Sequence, residues 1–375
     1  MLLEIHMLKN YPSTNLNRDD SGSPKSCIFG GIERGRISSQ CLKRSWRTSE
    51  YFAQSVNCQL GIRTRKLPEL VCEELSKMGV SDEYIAIAKT KVSAFGNKEG
   101  KAEKGGITSQ IIIYSPQDIT AVAKKVYDGI QIAGSLKAFD SMNVTEWQKQ
   151  MKDVKTRPIT LDIALFGRMV TSDAFEDVEA SMQVAHAIST NRVTMENDYF
   201  TAVDDLVSGS FENDAGAAMI GDIDYNSNCY YIYAAIDVDQ LQRNLKYTPE
   251  VQKMIYNAIP ALIQTMAFSS PSGKQNTFAG HVLPEIVMVE CKDKKVAVNY
   301  VNAFVSPARQ HGDINLVRDS VDKLVNEVDL CDQNYALVVR ERMWFDARHQ
   351  CAPKKATNCA DFGELICEIE RQLAK

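Results

Sequence analysis

Four strand-length apolar runs, far apart along the chain, restrict the folds open to it: LLEIHML at 2–8, TLDIALFGRMV at 160–170, NCYYIYAAIDV at 228–238 and EIVMVEC at 285–291. The first alternates and the last reads as a fully buried strand. The third is rich in the Tyr and Ile that suit a pleated, half-buried surface. Two helices fall between these runs. Ser38 and Ser39 are N-cap candidates for one that runs to about Phe52, with Leu42, Trp46 and Ala53 toward the core. Thr248, Pro249 and Glu250 give the other an N-cap, an N1 proline and a first-turn acid, and it runs to about Ala267. The order is strand, helix, strand, then strand, helix, strand. That is the split βαβ order of an α+β, ferredoxin-like or RNA-recognition-motif sheet.

The rest of the chain enters as insertions. Residues 57–157 read as mostly helical, with a charged stretch, GNKEGKAEKGG at 96–106, expected to be disordered. A further helix is expected from about Asp177 to Thr190, followed by irregular polar sequence. Beyond the last apolar run come a helix around 315–329, a strand YALVV at 335–339 and an amphipathic helix at 361–374. No internal repeat or long heptad tract changes this reading.

Charge narrows the partners. The 375 residues carry a net charge of −5, unevenly placed. Lys25 to Lys66 holds nine Lys or Arg against two Glu, a net of +7, whereas Ser172 to Asp224 holds twelve acids against one Arg, a net of −11. One reading is two solvated patches. The other is a face that attracts a polyanion and an acidic region that docks on a basic neighbour, as in head-to-tail stacking of identical copies. No apolar run reaches the ~18 residues of a membrane span, and MLLEIHMLKN has no basic n-region or cleavage site. Ten scattered cysteines without a C-x-x-C pair read as reduced thiols. A cytoplasmic protein is expected.

Enzymatic motifs fail on inspection. SPSGKQNT approaches a phosphate loop, but Phe268 stands in place of its first glycine and Gln275 in place of Ser or Thr. No zinc spacing or nucleophile elbow occurs, and no cofactor or metal is expected. His6, in a strand, and His186, in a helix, read as packed or surface residues. Asp19 and Asp20 read as turn caps rather than magnesium ligands.

What remains is an anion site. The segment GRISSQCLKRSWR, Gly35 to Arg47, opens a helix whose unpaired N–H groups attract negative charge. Ser38, Ser39 and Gln40 add polar groups at that end. Gln40, Lys43, Arg44 and Arg47 form a stripe at 3/4 spacing, Arg34 and Arg36 approach from the preceding segment, and Gly30-Gly31 lets backbone come close to a ligand. Lys274 and Gln275 supply a second contact from the Gly/Pro/Ser loop. A solvated basic helix face is the competing reading.

These stretches resemble a known family. LNRDD (16–20), IFGG…RGRISSQCLKRSWR (28–47), DIALFGRMVTS (162–172), AHAISTNRV with YFTAVDDL (185–206) and SGKQNT (272–277) are similar to CasC, the backbone subunit of the type I-E CRISPR Cascade surveillance complex. The resemblance implies an RNA-recognition-motif palm in parts (1–56, 158–189 and 227–300), a helical finger insertion (57–157), a thumb of β-hairpin or irregular structure (190–226) and a C-terminal part (301–375) packed on the palm. It implies a non-enzymatic subunit whose copies stack along one CRISPR RNA (crRNA), with other Cascade subunits and target DNA as partners and no membrane. Its RNA contacts carry over to Lys25, Arg36, Ser38, Gln40, Lys43, Arg44, Arg47, Arg168, Met169, Lys274 and Gln275. Two positions depart from the pattern: Asn276 stands where an arginine is expected, and Phe166 where a small residue is usual. A guide-processing endoribonuclease of ferredoxin-like fold, with His281 as base, is the alternative.

Overall fold

The computed structural model describes residues 1–56, 58–102, 105–152, 157–203 and 217–375. In chain order the elements are β1 (Leu2–Thr14), β2 (Ser26–Phe29), β3 (Ile32–Ile37), α1 (Ser39–Arg47), α2 (Glu50–Val56), β4 (Ile62–Thr64), α3 (Leu67–Lys77), α4 (Asp82–Ser93), β5 (Ile112–Tyr114), α5 (Pro116–Ala133), α6 (Leu136–Ser141), α7 (Val144–Lys152), α8 (Leu161–Phe166), β6 (Met182–Val184), β7 (Ala187–Ser189), β8 (Glu196–Val203), β9 (Ala217–Asp237), α9 (Val238–Asn244), α10 (Pro249–Phe268), α11 (Gln275–Phe278), β10 (Ile286–Lys292), α12 (Leu316–Tyr335), β11 (Glu341–Asp346), β12 (Thr357–Cys359) and α13 (Phe362–Ala374). The architecture is α+β. The chain divides into two compact units: Met1–Ser55, Gln183–Asp237 and Tyr256–Lys375 form one, Val56–Met182 and Val238–Ile255 the other.

The first unit is built on a sheet of order β12-β11-β10-β1-β9-β7-β3-β2. Within it, β10, β1, β9 and β7 are each antiparallel to their neighbours. β1 is central, and alternation splits its side chains between two faces. Leu2 and Leu8 join Tyr231, Tyr233, Met288 and Trp344 in a core closed by Val321, Leu324 and Val328 of α12. On that same face Glu4 pairs with Lys292, Lys292 with Glu290 at 2.9 Å, and Arg342 bridges Glu290 and Asp332 at 2.6 and 2.7 Å. The opposite face carries Leu3, Ile5, Met7 and Lys9 and meets the C-terminal end of α10. There the buried Lys9 ammonium donates to the carbonyls of Ala267 and Ser269, both at 2.9 Å. These are oxygens that the helix end leaves without intrahelical donors. Tyr11, two residues on, hydrogen-bonds Ser270 at 3.2 Å.

The second unit packs α3, α4, α5 and α7 around Val71, Leu75, Val92, Phe95, Val122, Val126, Phe139 and Trp147. It also holds a two-stranded sheet of β4 and β5, which the helical reading of 57–157 did not include. This unit does not stop at 157 but continues to Met182. Part of the charged stretch at 96–106, and the centre of the expected thumb with Asp204 and Asp205, lie outside the described residues. No helix of the described residues is long and apolar enough to cross a membrane.

Several expected elements change identity. The strand expected at 160–170 is a helix, α8. Thr160 is its N-cap, the Asp162 carboxylate accepts from Thr160 Oγ1 at 2.6 Å and from the Gly61 N–H at 2.9 Å, and Gly167, at φ +81°, ends it. A short, wholly buried apolar run has no period that separates the two structures. The helix expected at 177–190 is instead β6 and β7. Ile188 pairs with Arg36 on one side and Tyr231 on the other, and this pairing overrides the helix propensity of the Ala, Met and Gln around it. The strand expected at 335–339 yields to α12, which runs through Tyr335 and stops at Ala336, at φ +47°, before β11 begins at Glu341. The helix expected to reach Phe52 breaks at Thr48, whose N–H and Oγ1 both bond the Arg44 carbonyl. In the helix that follows, Phe52 is buried and Ala53 exposed, reversing the expected core position.

Candidate nucleic-acid interface

α1 is amphipathic in the simplest sense. Leu42 and Trp46, one turn apart, are buried, and the 3/4-spaced stripe lies away from them. Gln40 and Arg44 are exposed, Lys43 and Arg47 half-buried. Ser38 is the N-cap, accepting from the Cys41 N–H at 3.3 Å, while its own N–H donates to Asn17 Oδ1 at 2.9 Å. The Asn17 carbonyl accepts from the Lys25 N–H at 2.9 Å, and the Lys25 carbonyl from the Arg36 N–H at 2.8 Å. One asparagine therefore ties Lys25, Arg36 and the start of α1 together. Burial pushes the Lys43 ammonium below its ordinary value. Among the described residues, no carboxylate forms an ion pair with Lys25, Lys43 or Arg44.

The second loop reaches the same place. Gly273 packs so tightly on the segment ahead of Asn17 that a Cβ there would stand 2.4 Å from the Leu16 carbonyl oxygen and 2.6 Å from that of Asn15. This seats Lys274, in the left-handed conformation at φ +49°, beside the 15–17 segment. Gln275 folds its amide inward and donates to the Pro271 carbonyl at 2.8 Å, so its side chain shapes the loop. Residues 25–47 and 272–275, remote in sequence, share one backbone support.

Other expected members stand elsewhere. Arg34 is fully buried. Its guanidinium donates to the carbonyls of Ser189 (3.0 Å), Thr190 (2.8 Å) and Phe304 (2.7 Å), so it fastens β3 to two other chain segments rather than facing an anion. Gly30 and Gly31, at φ +60° and +78°, make the two-residue turn of the β2–β3 hairpin, where paired positive φ values select glycine. In the other unit Arg168 is buried, with its guanidinium 2.6 Å from the Asp118 carboxylate, and also donates to the Glu176 carbonyl. That fixes the turn on which Met169 stands 90% exposed. Asp19 caps its own loop, accepting from Ser21 and Ser23 N–H groups at 3.0 Å. His6 is buried against the Tyr231 hydroxyl at 2.8 Å. The ten cysteines are free thiols.

Sequence reasoning missed two residues. Asn17 lies in the quoted LNRDD run, yet nothing in its spacing announces that it joins Lys25 to α1. His186, assigned to a helix, sits instead between β6 and β7 and receives a hydrogen bond from Arg36 at 3.0 Å.

The model of the CT1975-like protein family matches residues 3–368. No curated protein matches the sequence. Among solved structures, a chain described as "CRISPR RNA-guided surveillance complex, pre-nicking" aligns with a TM-score of 0.83 at 22% identity, covering 100% of this chain and 99% of its own length. A second, described as "CRISPR RNA-guided surveillance complex", aligns at 0.73 and 20% identity, covering 99% of this chain and 100% of its own. The fold is thus shared end to end with chains of such complexes.

Proposed function

The chain belongs to the CT1975-like protein family, and on that premise we propose that it is a crRNA-binding backbone subunit of a CRISPR RNA-guided surveillance complex. The observation that carries this reading is the grouping of Lys25, Lys43, Arg44 and Lys274, without carboxylate ion pairs among the described residues, on α1 and about the Asn15–Asn17 segment that supports its N-cap. Cations arranged along a backbone support, with no aromatic platform among them, suit phosphate rather than base. Phosphate contacts position a nucleic acid without reading its sequence, which leaves guide bases free to pair with target DNA.

The finer features belong to the same proposal. Strands β10-β1-β9-β7, with α1 and α10 between them in the chain, support the reading of a ferredoxin-like palm, with β7 taking the place first given to 160–170. The β8–β9 hairpin is the base of the thumb. Copies stack head to tail on one crRNA within a type I-E Cascade in the cytoplasm, alongside its other subunits. Arg168 contributes by holding Met169 in its exposed position. The role is non-catalytic. The endoribonuclease reading finds little support, since His281 is exposed and its ring has no hydrogen-bond partner among the described residues.

Lys43→Ala is the direct test. It should weaken binding to RNAs of unrelated sequence equally and lower the slope of log affinity against log salt by about 0.7, the share of one phosphate contact on a single strand. A loss confined to certain sequences, or none, rejects the reading.

A further inference from the structure

β7 lies antiparallel to β3, with Ala187 opposite Ile37 and Ile188 opposite Arg36. That register brings the exposed His186 against the Arg36 side chain. Arg36 is held at two points: Nε donates to the Ser26 carbonyl at 3.2 Å and Nη1 to His186 Nδ1 at 3.0 Å. An Nδ1 that accepts carries no hydrogen, so the ring is neutral with its proton on Nε2. The groups that face it are both cationic, Arg36 from β3 and Lys25 from the segment ahead of β2. Desolvation first, then these two charges, hold the imidazole below its ordinary value. Among the described residues no carboxylate forms an ion pair with Lys25, Arg36 or His186.

A phosphodiester reverses this balance. Its charge offsets Lys25 and Arg36 and favours the imidazolium. Protonation turns Nδ1 from acceptor to donor, so the bond from Arg36 is lost. Two cationic donors then stand side by side, an arrangement that holds an anion by charge-assisted hydrogen bonds.

We propose that His186 is a further RNA-phosphate ligand, which takes up a proton as RNA binds and frees Arg36 from its own ring to grip the same phosphate. The inference rests on the reading of this face as an RNA interface, and its test separates the two. Fluorescence anisotropy of the full chain with a Cy5-labelled oligouridylate, at constant ionic strength, is followed from about pH 5.5 to about pH 7.5, a range that brackets the ordinary histidine value. Wild-type affinity should fall by about three- to tenfold across that range, tenfold being the limit for each unit by which the bound phosphate raises the histidine pKa. His186→Asn, neutral throughout, should flatten the profile, whereas His281→Asn should retain it. Lys43→Ala should bind more weakly at every pH with the wild-type slope. A flat wild-type profile, or equal slopes in wild type and His186→Asn, overturns the role of His186. Undiminished binding by Lys43→Ala overturns the interface reading itself.

Discussion

Arg34 and Arg36 stand two residues apart on one strand, yet they have opposite fates. Arg34 saturates backbone carbonyls from two other segments, while Arg36 reaches the rim beside His186. Alternation places both on one face of β3; only the neighbouring chain decides which is covered. Removing the buried guanidinium strands several carbonyls without donors, so Arg34→Met should cost about 3 kcal/mol or more in urea unfolding. A loss under about 1 kcal/mol would show that β3 does not depend on that anchor. The cationic stripe of α1 was legible because its 3/4 spacing and serine cap are local properties. Asn17 and His186 were not legible, because their roles come from hydrogen bonds to residues many positions away.

At the scale of elements, β1 does more than centre the sheet. Lys9 and Tyr11 hold the stretch 267–270, from which the Lys274 loop departs. Burial pushes the Lys9 ammonium down to about 7, although carbonyl oxygens face it. Between that value and the ordinary 10.5 the unfolded chain binds more protons, so stability rises with pH across the window. The cost of burying the cation is thus full below about pH 7 and gone by about pH 10.5. Lys9→Met should remove this rise from urea-unfolding midpoints measured over the same range, and amide exchange at 270–275 should quicken as the end of α10 loses its donor. An unaltered pH profile would argue that Lys9 stays charged throughout. Long periodic segments such as α10, α12 and α13 could be read from the sequence. The six-residue α8 and three-residue β7 could not, since so short a stretch takes its conformation from what surrounds it.

Across the molecule, the uneven charge gains a structural address. Glu196, Asp198 and Asp222 are exposed on the β8–β9 hairpin, while Lys25 stands just ahead of the edge strand β2 and Lys43 and Arg44 lie on α1. If identical copies dock acidic hairpin to basic neighbour, changing Glu196, Asp198 and Asp222 together to Lys should abolish RNA-dependent assembly in sedimentation while leaving the free chain folded. Normal assembly would remove the hairpin from that contact. Strands β1, β9 and β10 and helices α1 and α10 were visible in the sequence, but the meeting of residues near 16 with those near 273 was not, because nothing in either stretch names the other. Gly273 sets the evolutionary latitude of that meeting. At 273 itself the smallest side chain would drive a wedge into the Leu16 carbonyl, so descendants of this protein can retune their grip on either side of a position that admits no change.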